Sequence, residues 1–431
     1  MIAILKREWK SYFQNITGWL FIAAVLALYG LYFLAYNLRA GYPYVSYTLS
    51  AISFIMLIAV PILTMRSMAE ERHSRTDQLV LTAPVSLGKM IFGKFLAMVG
   101  VFTVAVAVIA VTPLVLAAFG TVPMGENYVA VLGFWLYGCT CIAVGMLASA
   151  LTESQVIAAV VAFAFLFLGY MMNSITGLIG DHLVTKVLGA YDLYTPLQSF
   201  MSGCLDLTGV VYFVSVTGLC LFLTCQCVQK RRWSMTTKKL TTGMFSVAMI
   251  VVGFAVAVAV NLVVKEMPSS WTAVDATSTK LYSLTDTTKD YVKNLSQDVT
   301  IYVLSSEKSA DSTLAETLQR YEDLSKHLKV VYKDPAKSPN FYQQYTDSAP
   351  SQNSMIVVSD ARSRVVDYSD VYEYSYDYST YSSSVDGYDA EGQLTSALQY
   401  VTKADSELPV IYEYPDEDIQ ATQAKLNAAY D

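Results

Sequence analysis

The sequence predicts an α-helical polytopic membrane protein, six spans plus a seventh, that continues into a C-terminal α/β domain outside the cytoplasm. Three observations predict it. Seven apolar runs fall between residues 18 and 264, each close to the roughly 20 residues that a bilayer span needs. The 431-residue chain is 54% hydrophobic and 15% charged, with a mean hydropathy of +0.39, whereas a soluble domain is about a quarter charged. Charge is also divided along the chain. Residues 1–265 hold 16 Lys and Arg against 9 Asp and Glu, a net of +7, and residues 266–431 hold 13 against 27, a net of −14. A basic apolar part and an acidic part need two environments. The acidic part would repel phosphate, which excludes a nucleic-acid binder.

Residues 1–17 read as an amphipathic interfacial helix. Ile2, Leu5, Trp9, Tyr12 and Phe13 recur at helical spacing, with Lys6, Arg7, Lys10 and Gln14 on the other face. Such a helix lies in the headgroup region. A full-length span follows with no small-residue cleavage site, so the start is not expected to be a cleavable signal peptide.

The apolar runs cover about 18–36, 47–65, 95–119, 130–150, 156–179, 208–227 and 245–264. Residues 172–206 mix apolar and polar side chains. Lys and Arg cluster before the first run, between the second and third, and between the sixth and seventh, while the alternate loops are poor in them. That asymmetry puts the N-terminus in the cytoplasm. Seven crossings then leave everything after Val264 outside. Pro61 and Pro113 are expected to kink their helices.

The loop after the second run is highly charged, then semi-apolar, then stopped at Pro84. Ser86 is expected to cap the helix of the third span. Leu79, Val80 and Leu81 would stand exposed there, and an exposed apolar cluster needs a partner. Its residues run Glu70-Glu71-Arg72, then Thr76-Asp77-Gln78-Leu79-Val80-Leu81-Thr82-Ala83-Pro84, then Gly93-Lys94-Phe95-Leu96. This resembles the pattern of type-2 ABC transporter permeases (GldF-like), with Arg75 and Asp77 where the family usually has Gly and Glu. The resemblance implies a six-span permease domain over residues 18–232. It also implies a coupling segment, 66–94, seated on an ATP-binding subunit. The implied coupling residues are Glu70, Glu71, Arg72, Thr76, Asp77, Leu79, Leu81, Thr82 and Pro84.

Gly88 to Phe95 nearly reads as a P-loop, but Phe95 cannot ligate magnesium and no strand precedes it. No cofactor is therefore expected to bind directly, and ATP and Mg are expected on a partner subunit. Glu153, Gln155 and Asn173 are strongly polar residues near membrane depth, read as marking a pathway or, twice as readily, as interface and packing. All six cysteines lie in the apolar part as small packing residues. His73, His182 and His327 are the only histidines, too few for a metal cluster without acidic help.

Residues 233–265 read as a basic linker and an added seventh span. Beyond it, strand and helix signals alternate, which argues for an α/β domain over 266–431. Val299–Leu304, Leu328–Lys333, a hairpin of Met355–Ser359 with Val365–Val366, and Val410–Tyr414 read as strands. Ala315–Leu328 and Glu391–Thr402 read as helices. Residues 367–390, rich in Tyr, Ser and Asp, read as an exposed loop, with a sugar- or peptide-binding surface as the other reading. The run from Asp275 through Lys280-Leu-Tyr-Ser-Leu284 to Thr288, Leu318 with Tyr321, Val331-Tyr-Lys-Asp-Pro335, and Glu391-Gly-Gln-Leu-Thr-Ser-Ala397 form a pattern. It resembles the extracytoplasmic part of the gliding-motility-type (GldG-like) ABC transporter auxiliary subunit. That resemblance implies a thioredoxin-like start followed by a second lobe. Because Asp431 falls just after the strand that would open that lobe, the domain is expected to be incomplete at its C-terminus.

The expected function is the membrane subunit of an ABC transporter, an exporter rather than an enzyme, in the cytoplasmic membrane. Its partners are an ABC ATPase subunit on the cytoplasmic side, a second permease copy or homologous permease, and the lipid bilayer. The outer domain would gate the exit, bind substrate or engage a partner. The alternative is a non-transporting envelope assembly or sensor protein whose outer domain recruits partners.

Overall fold

A computed structural model of the chain describes residues 2–75, 86–179, 189–232, 239–265, 267, 273–275, 284–306, 309–377 and 382–403. The chain divides into two units, residues 1–285 with 308–323, and residues 286–307 with 324–431.

The first unit is helical. Helix α1 (Ile2–Gln14) turns at Asn15 into α2 (Ile16–Phe33), which widens to a π-helix over Leu34–Arg39. Helix α3 (Ser46–Thr64) is followed after Met65 by α4 (Arg66–His73). Then come α5 (Leu87–Ile109), α6 (Thr112–Ala117), α7 (Met124–Leu151) and α8 (Gln155–Ile179). A short helix α9 (Thr195–Met201) and strand β1 (Cys204–Asp206) precede α10 (Leu207–Arg232) and α11 (Lys239–Lys265).

Among the described residues, six stretches are long and apolar enough to cross a bilayer: Ile16–Arg39, Ser46–His73, Leu87–Ala117, Met124–Leu151, Gln155–Thr176 and Leu207–Gln229. They coincide with the first six apolar runs. Helix α11 carries a shorter apolar stretch, Ala248–Val264. Helix α7 is central, with 83% of its apolar window buried, against 22–33% for the first, fifth and sixth stretches. Those three present apolar faces outward, which suits lipid or another helix but not water. Close approach to α7 depends on small residues. A Cβ on Gly138 would stand 2.2 Å from the Phe102 ring, and one on Gly145 would stand 2.3 Å from the Thr64 hydroxyl.

Pro113 does more than kink its helix. Helix α5 stops at Ile109 and the chain restarts at Thr112 with Pro113 in the first turn of α6, where its missing N–H costs nothing. Pro61 stays inside α3. Ser86 takes the cap position of α5 with extended backbone, but its side chain makes no cap hydrogen bond. In the mixed stretch 172–206, α9 packs against α7, with Phe200 over Gly133.

Strand β1 pairs antiparallel with β2 (Ala273–Asp275), Cys204 opposite Asp275. Hydropathy gives no sign of this pairing, because each strand is three residues long.

In the second unit β3 (Val299–Val303), β4 (Leu328–Tyr332), β5 (Met355–Ser359) and β6 (Ser363–Val366) form one sheet in the order β4-β3-β5-β6. The β3–β4 pair is parallel and the other two are antiparallel. This small mixed sheet contains the strands expected at 299–304, 328–333 and 355–366. Val299, Ile301 and Val303 alternate into the core, the period-two burial of a central strand. Helix α12 (Asp286–Lys293) and helix α14 (Ala390–Thr402) belong to this unit, whereas α13 (Ser312–Leu324) falls almost wholly in the first. Leu394, Ala397, Leu398 and Val401 of α14 are buried, and its Val401 carbonyl accepts from the Ser359 hydroxyl at 2.7 Å.

Two expectations need correction. Helix α13 ends at Leu324, not Leu328. Leu328 instead faces Val299 in the parallel ladder, because the sheet takes the last residues of the apolar stripe. Residues 367–390 are not a loop throughout. After a 3₁₀ turn (Tyr368–Asp370), β7 (Tyr372–Asp377) and β8 (Ser382–Tyr388) form an antiparallel hairpin with an irregularity at Glu373/Tyr374. Tyr at alternate positions favours a pleated strand, and that outweighs the polarity of the composition. The expected strand Val410–Tyr414 lies outside the described residues.

Candidate functional site

The charged segment at the α1 end of the helices begins with α4, which continues α3 after Met65. Its first N–H groups lack helical partners, and Ser149 of α7 supplies them. The Ser149 hydroxyl oxygen accepts from Met68 N and Ala69 N, both at 3.1 Å, and donates to the Met65 carbonyl at 3.0 Å. Ser67, Met68 and Ala69 are buried by that contact.

Helical spacing then lays Glu70 and Glu71 toward α1 and α5. Arg66 donates twice to Glu70, at 2.7 and 2.8 Å, and reaches the Thr17 hydroxyl at 3.4 Å. Lys94, two turns into α5, is the centre of the cluster. Its ammonium lies 2.6 Å from Glu71 and 3.4 Å from Glu8, and donates to the Ser67 carbonyl at 3.2 Å. Only 4% of its side chain is exposed. All three ammonium donors therefore have acceptors, the condition under which a buried lysine is tolerated. Arg7 joins Glu8 at 2.7 Å and approaches Glu71 at 3.7 Å, and the hydrogen bond it donates to Glu8 holds its guanidinium above the usual range. Burial pushes the neighbouring Tyr12 hydroxyl well up.

Helix α1 is itself fastened to α5. The Trp9 ring lies over Gly100, where a Cβ would meet it at 1.7 Å. The Trp19 indole donates to the Phe13 carbonyl at 2.9 Å across the turn into α2. Helix α1 thus has a packed face as well as an exposed one.

Of the sequence-derived coupling residues, Glu70, Glu71 and Arg72 are held in ion pairs. Arg72 reaches Glu153 at 2.7 Å, which ties α4 to the turn between α7 and α8. Thr76, Asp77, Leu79, Leu81, Thr82 and Pro84 lie outside the described residues. Gln155 starts α8 beside that turn, while Asn173 is half-buried near its far end. The 18 steps from one to the other span about 27 Å of helix, so the structure does not gather these three polar residues into one site. Sequence reading missed Glu8, Lys94 and Ser149. A signal did exist: Lys94 stands inside a semi-apolar helical run, and an ionisable residue there calls for a partner. Among the described residues no group of three or more His, Cys, Asp and Glu is arranged to hold a metal ion. All six cysteines are free thiols, four of them buried.

Residues 39–228 match the family model described as ABC-2 family transporter protein. Residues 278–370 match a domain of unknown function (DUF7088). No curated protein matches the sequence. The first match and the six apolar helices support an ABC-2-type permease, a multi-pass membrane component of a transporter that is generally not itself catalytic. That family implies an ABC ATPase partner.

Proposed function

We propose that the chain is the permease subunit of an ATP-driven exporter. An ATPase subunit docks on the 66–94 segment at the cytoplasmic side, and a second copy or a homologous permease completes the path. The observation that carries this is the cluster around Lys94. It joins α1, α4 and α5 at the root of that segment, and the Arg72–Glu153 pair adds the α7–α8 turn. Closure of an ATPase dimer against the segment would therefore pull on several spans together, as interfaces and packed elements shift between discrete states. A docked segment that touched one span alone would have no such leverage.

In this reading α11 is a seventh span and the acidic domain lies outside. Two contacts support it. Asn261 donates to Ser215 at 2.7 Å, and a Cβ on Gly253 would meet Phe222 at 2.9 Å, so α11 runs antiparallel to α10 along its length. Its exit strand β2 then pairs with β1, just before α10 begins. That α11 starts where α10 ends and finishes where α10 starts supports a crossing of the same depth. The outer domain begins thioredoxin-like, which the parallel β3–β4 pair followed by the antiparallel β5–β6 hairpin supports. It serves gating, substrate or partner binding in the manner of the gliding-motility-type auxiliary subunit.

Affinity purification of the tagged chain in mild detergent tests the proposal. A P-loop ATPase should copurify and be lost when Glu71→Ala and Leu79→Ala are combined. A preparation that never contains one, even after crosslinking, would refute it.

A further inference from the structure

Helices α3 and α4 make up one stretch, Ser46–His73, yet its hydrogen-bond ladder is interrupted at one place. In an unbroken helix the Ala69 N–H would donate to the Met65 carbonyl and the Met68 N–H to the Thr64 carbonyl. The Ser149 hydroxyl of α7 stands in for those partners. It accepts from both N–H groups at 3.1 Å and donates to the Met65 carbonyl at 3.0 Å. A side chain inserted into the ladder is a known cause of a bend within a helix. Thr64, Met68, Ala69 and Ser149 are all buried, so water does not supply these bonds. One turn earlier in α7, Gly145 has no room for a Cβ beside the Thr64 hydroxyl, and that close approach brings Ser149 within reach.

We propose that Met65 is a two-state hinge between the second span and the charged segment, and that Ser149 is the positioning residue that holds it in one state. The hydrogen bonds balance between the states. With the hydroxyl inserted, three bonds join Ser149 to Met65, Met68 and Ala69. With it withdrawn, the Ala69 and Met68 N–H groups donate to the Met65 and Thr64 carbonyls. The hydroxyl then turns to the Gly145 carbonyl of its own helix, the i−4 bond open to a helical serine. Halfway between, buried donors lack partners, which is costly, so the junction takes one arrangement or the other. The inserted state is also incomplete. The Ser67 hydroxyl, in the same turn, is buried without a hydrogen-bond partner, and a regular ladder would offer it the Leu63 carbonyl. The Arg72–Glu153 pair at 2.7 Å offsets that deficit by holding α4 to the turn after α7. Under the coupling role proposed above, on which this last step alone rests, Met65 is where a docked ATPase turns α4 against α3.

Hydrogen–deuterium exchange on the full chain in nanodiscs, with no ATPase present, tests the hinge separately from that role. Ser149→Ala removes the inserted group. If Ser149 were a fixed cap, the variant would be left with two orphan N–H groups, would melt earlier and would exchange faster over Met65–His73. A hinge closes its ladder instead. The Tm should stay within about 1 °C of the native value, and exchange over Met65–His73 should slow by about fivefold. Faster or unchanged exchange, a lower Tm, or failure to fold would each overturn the proposal. Slower exchange with the Tm held, in a chain that never copurifies with an ATPase, would uphold the hinge and remove the coupling role.

Discussion

The Lys94 ammonium lies 2.6 Å from a Glu71 carboxylate oxygen, with 4% of the lysine side chain and 21% of the glutamate side chain exposed. The pair links α5 to α4 at the base of the charged segment, and Glu8 brings in α1 at 3.4 Å. Removing one partner of a buried pair strands the other. Lys94→Met should therefore cost about 3–5 kcal/mol, and the paired replacement Lys94→Met with Glu71→Gln much less than the sum of the single changes. A double-mutant cycle on thermal or denaturant unfolding of the purified chain reads this directly. Additive losses would mean that the two groups do not interact.

Helix α1 is held by the seat of Trp9 on Gly100. Gly100→Ala would place a methyl inside the indole ring, so the ring must leave. The expected cost is about 1–3 kcal/mol, typical of overpacking, together with a red shift in tryptophan emission. Unchanged emission and melting would show that α1 is not seated there.

The proposed orientation makes opposite predictions for one exposed and one half-buried position. A cysteine placed at Ser348 should react with an impermeant maleimide in intact cells. One placed at Ser154, beside the Arg72–Glu153 pair, should react only after permeabilisation, with the native chain as the blank. The reverse pattern would invert the topology, and labelling of both only after permeabilisation would remove α11 as a span.

How much of this was legible in the sequence follows from the range of each interaction. The six long spans are written in local hydropathy, and α1 in the spacing of Trp9, Tyr12 and Phe13. Helix α14 and the β5–β6 hairpin also come from local pattern and turn residues. The β1–β2 pairing joins two three-residue strands 71 positions apart at Cys204 and Asp275, and nothing local announces it. The β7–β8 hairpin was hidden because composition read as polarity outweighed alternation. Lys94 was visible as a cation among apolar residues, but its partners sit on two other helices. The docking residues Thr76 to Pro84 rest on motif resemblance alone.

In the second unit the Asp367 carboxylate is the anchor of a turn. Burial raises its pKa, but the Ser369 and Ser351 backbone N–H groups and both hydroxyls outweigh that and hold it well below the ordinary carboxylate range. A lowered folded-state value means stability that is full above the unfolded value, near 4, and declines as pH falls below it. Asp367→Ala should cost about 1 kcal/mol at neutral pH, the size of a lost cap. The gap from the native chain should narrow below about pH 4. Amide exchange at Ser369 measures it, and a gap independent of pH would show that the carboxylate charge is not responsible.

The central claim is that the 66–94 segment couples an ATPase to the spans. Vanadate-sensitive ATPase activity in nanodiscs, on a complex purified through this chain, tests it most directly. The account predicts that Lys94→Met with Glu71→Gln leaves the ATPase subunit bound while uncoupling its turnover from the permease, so that the rate departs from native by about tenfold or more. A native rate in that variant, with the subunit bound, would contradict it.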